Sequence, residues 1–333
     1  MMPSLHLSDP RLKLLASRTL ASLRPAVIAF LVAKGVELSG GRPSPISFCN
    51  VLFVGNLCAA LVILCFFGPR RIVSELREVP PRMQWGLVVN GAMASLLSAL
   101  VFTGLAYTSA TNAILLSRLA PVLFAIAGAL VFRQHIARPE WFGFGFIIAG
   151  TLLLAVLAGQ GSLGKGDALI LLSTVVFAIT AITGKLMLQE DVSLPVLVFM
   201  RNASSSIIFF VIASCVFGPH HFADLFSGQL WIAMLIYASL IICLADYLWY
   251  DSVDQLDSIT VGRWATPAPA LAVAAASLLN HTIPSRDQLL GFGVIMVGVL
   301  ISAFGKPRPR PAQEQLASMV LAAEGDNVVL PVS

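Results

Sequence analysis

Apolar runs of about 20 residues recur along the whole chain, each close to the length a helix needs to cross ~30 Å of hydrocarbon. Ten can be traced, at residues 24–40, 46–67, 84–106, 109–132, 139–159, 167–188, 194–217, 229–250, 256–279 and 286–305. Charged residues make up 11% of the 333 and hydrophobic residues 57%. A soluble domain carries about 25% charged residues, so this composition is built for lipid. The expected fold is an all-α integral membrane protein of ten transmembrane helices. Residues 1–23 carry an acid and scattered bases without a small-residue cleavage site, and are read as a cytoplasmic arm rather than a signal peptide. Residues 306–333, rich in proline and small side chains, are read as a disordered cytoplasmic tail.

Lysine and arginine set the expected orientation. With the N-terminus in the cytoplasm, the inside segments hold thirteen basic residues, among them Arg18, Arg24, Arg70, Arg71 and Arg77, and the outside segments hold Arg42, Lys165 and Arg286. That bias places both termini in the cytoplasm. The other five basic residues, Lys34, Arg118, Lys185, Arg201 and Arg263, fall inside predicted spans.

The second half restates the first. Trp85 to Pro121 is 36 residues, as is Trp231 to Pro267; Lys34 to Asn50 is 16, as is Lys185 to Arg201. GFGFIIAG, with Gly143, Gly145 and Gly150, returns as GFGVIMVG, with Gly291, Gly293 and Gly298. Three echoes in one order mark an internal repeat, 24–159 and 167–305, joined by a linker at 160–166. Each copy holds five spans, an odd number, so the second must enter the membrane from the opposite side, the inverted arrangement of many secondary transporters.

With these features in view, the chain resembles the drug/metabolite transporter superfamily, in its EamA-like form. The resemblance covers residues 24–305. It is carried by AYTSATNAILLSRLAPVLFAIAGALVF and DSITVGRWATPAPALAVAAASLL, by the glycine-patterned fifth and tenth spans, and by Lys185 and Arg201 on the sixth and seventh. Where relatives carry an acid after the fourth span, this chain has Gln134. The resemblance implies a transporter with a central cavity between two five-helix halves, open alternately to either side. Its substrate would be a small molecule such as an amino acid, a sugar phosphate, an organic acid or a drug.

A charge at the centre of a membrane helix costs roughly 2.5–3.5 kcal/mol, so it is retained where it faces protein or water. Arg118 lies about 14 Å along its span, near the midplane, and Arg263 stands before its proline as Arg118 does. Lys34, Lys185 and Arg201 complete the cationic set, with Asn50 and Asn90 as candidate hydrogen-bonding partners of a ligand. Asp246 is the one acid well inside a span. Basic residues in excess favour an anionic or zwitterionic metabolite held by arginine forks. Asp246, desolvated yet near arginine, is the candidate for ion or proton coupling. Pro121, Pro267 and Pro269 are expected to kink their helices.

Other chemistries lack their residue patterns. GQGSLGKG at 159–166 joins two spans and has no Ser or Thr after its lysine, so it is a linker and not a phosphate loop. The five cysteines lie in spans without metal-ligand spacing. No cofactor, resident metal or nucleic-acid partner is expected, and no enzymatic activity. Two other readings stay open: a broad-specificity exporter of apolar or cationic compounds, suggested by Tyr247, Trp249, Tyr250 and Trp264 near Asp246, and an integral membrane enzyme. Short loops and the missing targeting signal suggest a bacterial inner membrane.

Overall fold

The computed structural model describes residues 9–38, 48–117, 119–158, 164–217, 228–265 and 285–303, which form helices joined by short turns, with no strand among them. α1 spans Pro10–Leu38, α2 Phe48–Phe67, α3 Pro69–Glu78 and α4 Pro81–Leu105. They are followed by α5 (Ala110–Leu116), α6 (Leu119–Val131) and α7 (Arg138–Ala158). α8 (Lys165–Gln189) and α9 (Leu194–Phe217) lead into α10 (Gly228–Tyr237), a π-helical segment at Ala238–Leu244, and α11 (Ala245–Gln255). α12 (Ser258–Ala265) and α13 (Arg286–Ala303) complete the described chain.

Among the described residues, five stretches are long and apolar enough to cross a bilayer: Asn50–Phe67, Pro81–Leu105, Lys165–Gln189, Leu194–Cys215 and Leu230–Gln255. The last contains the π segment, so α10 and α11 are one span. α6 and α13 supply shorter apolar helices. Large apolar side chains crowd the outside of the bundle, with Trp85 72%, Leu130 75% and Phe142 67% exposed. Such a surface is stable against hydrocarbon, not against water. The molecule is an integral membrane protein.

Two predicted boundaries move. α1 is continuous from Pro10, so residues 10–23 of the expected arm run without a break into the first span, and Lys13, Arg18 and Arg24 lie on one helix. In the predicted fourth span α5 ends at Leu116, Ser117 forms a turn, and α6 runs from Leu119. Pro121 is the third residue of α6, where a missing N–H is tolerated because the first turn has no intrahelical acceptor for it. The Ser117 carbonyl accepts from Ala120 N at 3.1 Å.

The helices pack in matched pairs. If α1 corresponds to α8, α2 to α9, α4 to α10–α11, α5–α6 to α12 and α7 to α13, as the sequence repeat requires, the major contacts map onto one another. α1 lies on α11 as α8 lies on α4; α2 lies on the π segment as α9 lies on α4. The pairs α2–α9, α6–α12 and α7–α13 map onto themselves. The α7–α13 contact is made by glycine: a Cβ on Gly143 would sit 2.6 Å from the Gly298 carbonyl oxygen, and one on Gly298 would sit 2.6 Å from that of Gly143. Gly150 packs on Ile295 in the same interface, whereas Gly145 and Gly293 face open space.

Between α2 and α3 the chain turns at Gly68, whose φ of +83° is a conformation glycine reaches without strain. α3 is amphipathic, with Ile72 fully buried while Arg70 and Arg71 point outward. Arg71 Nε donates to Glu75 Oε1 at 2.6 Å, and Ser193 Oγ, just before α9, donates to Glu75 Oε2 at 2.5 Å. The first bond braces α3 along its own length, and the second ties it to the start of α9. With both donors stabilising its charged form, the Glu75 carboxyl is held below its ordinary value, chiefly by the Arg71 hydrogen bond.

Candidate functional site

α1 is fixed to α11 and the π segment by three residues on one of its faces. Lys13 Nζ meets Asp251 Oδ2 at 2.9 Å, Ser17 Oγ donates to the Ala245 carbonyl at 2.7 Å, and Arg24 Nη2 donates to the Ile241 carbonyl at 3.3 Å. Spacings of four and seven residues put these side chains in line. The Ile241 carbonyl belongs to the widened π turn, a type of irregularity that recurs at functional sites.

Asp246, in the first turn of α11, receives two guanidinium groups. Arg201 Nε lies 3.6 Å from Oδ2 and Arg24 Nη2 lies 3.8 Å from Oδ1. Both distances are within ion-pair range but too long for direct hydrogen bonds, so both cations are attracted without being locked. Arg201 is held from its other side, where Nη1 donates to the Tyr250 hydroxyl at 2.7 Å. The fully buried Tyr250 ring has its space because residue 184 is glycine, where any Cβ would collide with the ring. Arg18 stacks with its guanidinium carbon 4.4 Å from the centroid of Trp249 and 5.1 Å from that of Phe177. Desolvated cation–π contacts of this kind contribute up to about 2 kcal/mol.

These residues border a cavity of about 130 Å³ enclosed by α1, α4, α5, α6, α8, α9 and α11. Among the described residues, its charged side comes from α1 (Arg18, Arg24), α9 (Arg201) and α11 (Asp246). The rest of its wall is largely apolar: Leu97 and Val101 on α4, Ala113 and Ala120 beside the α5–α6 break, Ile170 and Phe177 on α8. A second cavity of about 20 Å³ lies toward α2 and shares Arg24, Arg201 and Asp246 with the first. The ion-paired trio therefore stands between two spaces. Among the described residues lining the larger cavity, three guanidinium groups face one carboxylate.

The residues predicted from sequence divide into three groups. Arg201, Asp246 and Pro121 line the cavity. Four described residues are engaged elsewhere. Arg263, expected to grip a ligand beside Arg118, instead forms a buried ion pair with Glu140 at the start of α7. Glu140 also accepts from Ala137 N at 2.6 Å, closing the first turn of α7. Lys185 Nζ donates to the Leu256 carbonyl at 2.7 Å at the C-terminus of α11, a favourable position for a cation. Asn90 Nδ2 donates to the Thr180 carbonyl and to Thr183 Oγ1, both at 2.8 Å, tying α4 to α8. Asn50 is buried on α2, at 1% exposure, and is not among the side chains bordering either cavity. Lys34 belongs to α1, with its side chain outside the described residues, and Arg118, Pro267 and Pro269 also lie outside them. Gln134, in the place of the usual acid, accepts from Ser258 N at 3.2 Å and, with Asp257, caps α12.

Sequence reasoning missed Arg18 and Arg24, which look like ordinary cytoplasmic flanks of a span. The available signal was the alignment of Lys13, Ser17 and Arg24 on one helical face, which marks α1 as packed well before residue 24.

An all-helical membrane bundle with a charged internal cavity is the frame of a membrane transport protein. The EamA-like transporter family model matches residues 26–156 and again residues 164–304, and the chain belongs to this family. It is 30% identical over 286 residues to the uncharacterized transporter sll1164 of Synechocystis, covering 81% of this chain and 79% of that protein. It is also 26% identical to the uncharacterized transporter YxxF of Bacillus subtilis, over 76% of this chain and 80% of the relative. A protein of known crystal structure, 17% identical, superposes with a TM-score of 0.58 over 86% of this chain and 96% of its own, a likeness of fold alone.

Proposed function

We propose that this protein is a secondary active transporter that carries a small anionic or zwitterionic metabolite by alternating access between two inverted five-helix repeats. The observation that carries the reading is the cavity in which, among the described residues, Arg18, Arg24 and Arg201 face one carboxylate, that of Asp246. In a low-dielectric space this surplus of positive charge attracts an anion and repels a cation. The paired packing of the two halves supports the repeat, and an odd number of spans in each supports its inversion. Setting aside Arg18 and Arg24, which face the cavity, the inside segments retain eleven basic residues against three outside, favouring cytoplasmic termini in a bacterial inner membrane.

Asp246 is the coupling residue of this reading. A substrate anion competes for Arg24 and Arg201, and protonation of the displaced carboxylate, or exchange with a second anion, returns the site to its starting charge. The cationic-exporter reading is disfavoured by the same geometry, because Arg18 occupies the aromatic faces and two guanidinium groups attend the acid. The test is flux in proteoliposomes loaded with individual labelled anions, zwitterions and cations. Transport of an anion or zwitterion, lost in Arg24→Ala and Arg201→Ala, is expected. Transport of cations alone, or undiminished anion flux in both variants, would refute the proposal.

A further inference from the structure

We infer that the substrate is an amphipathic carboxylate, an acid with a compact apolar or aromatic body and no ammonium group, an inference that rests on the carrier reading above. Three buried N–H donors, Arg18 Nε, Arg24 Nε and Trp249 Nε1, have no acceptor among the described residues, and all three residues border the larger cavity. Buried donors are nearly always paired, so three without described partners, on residues that border one space, point to a ligand that brings acceptors as these side chains turn toward it. A carboxylate has acceptors and no donors, and its negative charge answers the surplus of guanidinium groups.

The remaining wall selects the body. Leu97, Val101, Ile170 and Phe177 offer no polar atom. The hydroxyls beside them are already committed as donors: Ser173 Oγ to the Ile170 carbonyl at 2.6 Å, and Thr174 Oγ1 to the Leu171 carbonyl at 2.6 Å. A polyhydroxylated anion would find acceptors only at the few hydroxyls of this wall and would lay its other hydroxyl groups on apolar side chains without partners, each a desolvation cost. An ammonium group would sit in a field set by three guanidinium groups, near a carboxylate two of them already attend. Size agrees as well. At the 10–15 Å³ that one water requires, a cavity of about 130 Å³ admits roughly ten waters, comparable to an acid of about ten heavy atoms.

The test is calorimetric titration of the full chain in lipid nanodiscs with 3-phenylpropanoate, phenylalanine, 3-phenylpropan-1-ol, 3-phenylpropylamine and a hexose 6-phosphate. 3-Phenylpropanoate should bind at least tenfold tighter than each of the others. Trp249→Phe, which keeps the aromatic face and loses the N–H, should weaken it about fivefold, the effect of one hydrogen bond. Leu97→Gln should weaken 3-phenylpropanoate but leave acetate unchanged, which a misfolded variant would not do. Tighter binding of phenylalanine or of the hexose phosphate would overturn the amphipathic-carboxylate inference while leaving an anionic or zwitterionic carrier standing. Preference for the amine or the alcohol would overturn both, and no heat with any of the five at millimolar concentration would overturn the inference.

Discussion

Replacing Asp246 by asparagine preserves the side chain's shape and removes the only acid among the described residues that border the cavity. At separations of 3.6 and 3.8 Å and an effective dielectric constant of about 20, each guanidinium group gains roughly 4.5 kcal/mol of gross attraction from this carboxylate. Most of that is offset by desolvation, and breaking such buried pairs typically costs about 3–5 kcal/mol net. Taking about 2.1 cal/mol/K per residue for the unfolding entropy of 333 residues, the melting temperature should fall by about 4–7 °C. A ligand carboxylate supplies the missing negative charge, so 3-phenylpropanoate should raise the melting temperature of Asp246→Asn more than that of the wild type. Thermal unfolding in detergent, followed by tryptophan fluorescence with and without ligand, reads both quantities. A melting temperature within 1 °C of wild type, or equal ligand-induced increments in the two proteins, would refute the reasoning that Asp246 and substrate compete for the same cations.

Three further outcomes are expected. Glu140→Ala leaves Arg263 buried without its carboxylate and should destabilise the protein by about 3–5 kcal/mol, whereas Glu140→Leu combined with Arg263→Met should recover most of the loss; urea unfolding of both variants checks it. Gly143→Ala and Gly298→Ala force a methyl within 2.6 Å of a backbone oxygen and should lower the melting temperature in detergent, while Gly145→Ala and Gly293→Ala, into open space, should leave it unchanged or raise it slightly. Glu75 has a depressed carboxyl pKa, so its contribution is fully present above the ordinary value of 4.5 and disappears as pH falls through the lower folded value. Glu75→Gln should therefore flatten the acid limb of the stability profile and change little at neutral pH.

The membrane fold was legible because hydrocarbon thickness imposes a length and a composition that survive in any sequence crossing it. The repeat was legible because Trp85, Pro121, Trp231 and Pro267 keep their spacing. Arg201 and Asp246 stood out as charges in apolar runs, and the structure puts them at one cavity. Arg18 and Arg24 did not, because a charge near a helix end reads the same whether it faces water, headgroups or a packed neighbour. The role of Arg263 was hidden for another reason: its partner Glu140 is 123 residues away, a distance that only tertiary packing closes. The interruption at Ser117 was legible in part, because Pro121 lacks the N–H that would bond the Ser117 carbonyl four residues back.

Among the described residues, the chemistry of the cavity is not as symmetric as its scaffold. Its charged side is drawn from α1, α9 and α11, whose repeat counterparts are α8, α2 and α4. α8 and α4 present Ile170, Phe177, Leu97 and Val101 to the same space, and where α9 carries Arg201 the spacing of the repeat puts Asn50 on α2. Under the proposed mechanism, a scaffold with two equivalent halves provides two outward and inward states of similar energy, which alternation requires. An unsymmetrical lining then gives the bound molecule one preferred orientation, its acid toward α1, α9 and α11 and its body toward α4 and α8. If orientation is held through the cycle, adding a negative charge to the wrong wall should cost binding whichever side is open. Val101→Asp should therefore abolish uptake from both faces of the vesicle, while Val101→Leu, which keeps the wall apolar, should retain it. Loss of flux from one face only would show that the two states grip the substrate by different walls, and would overturn the fixed-orientation argument.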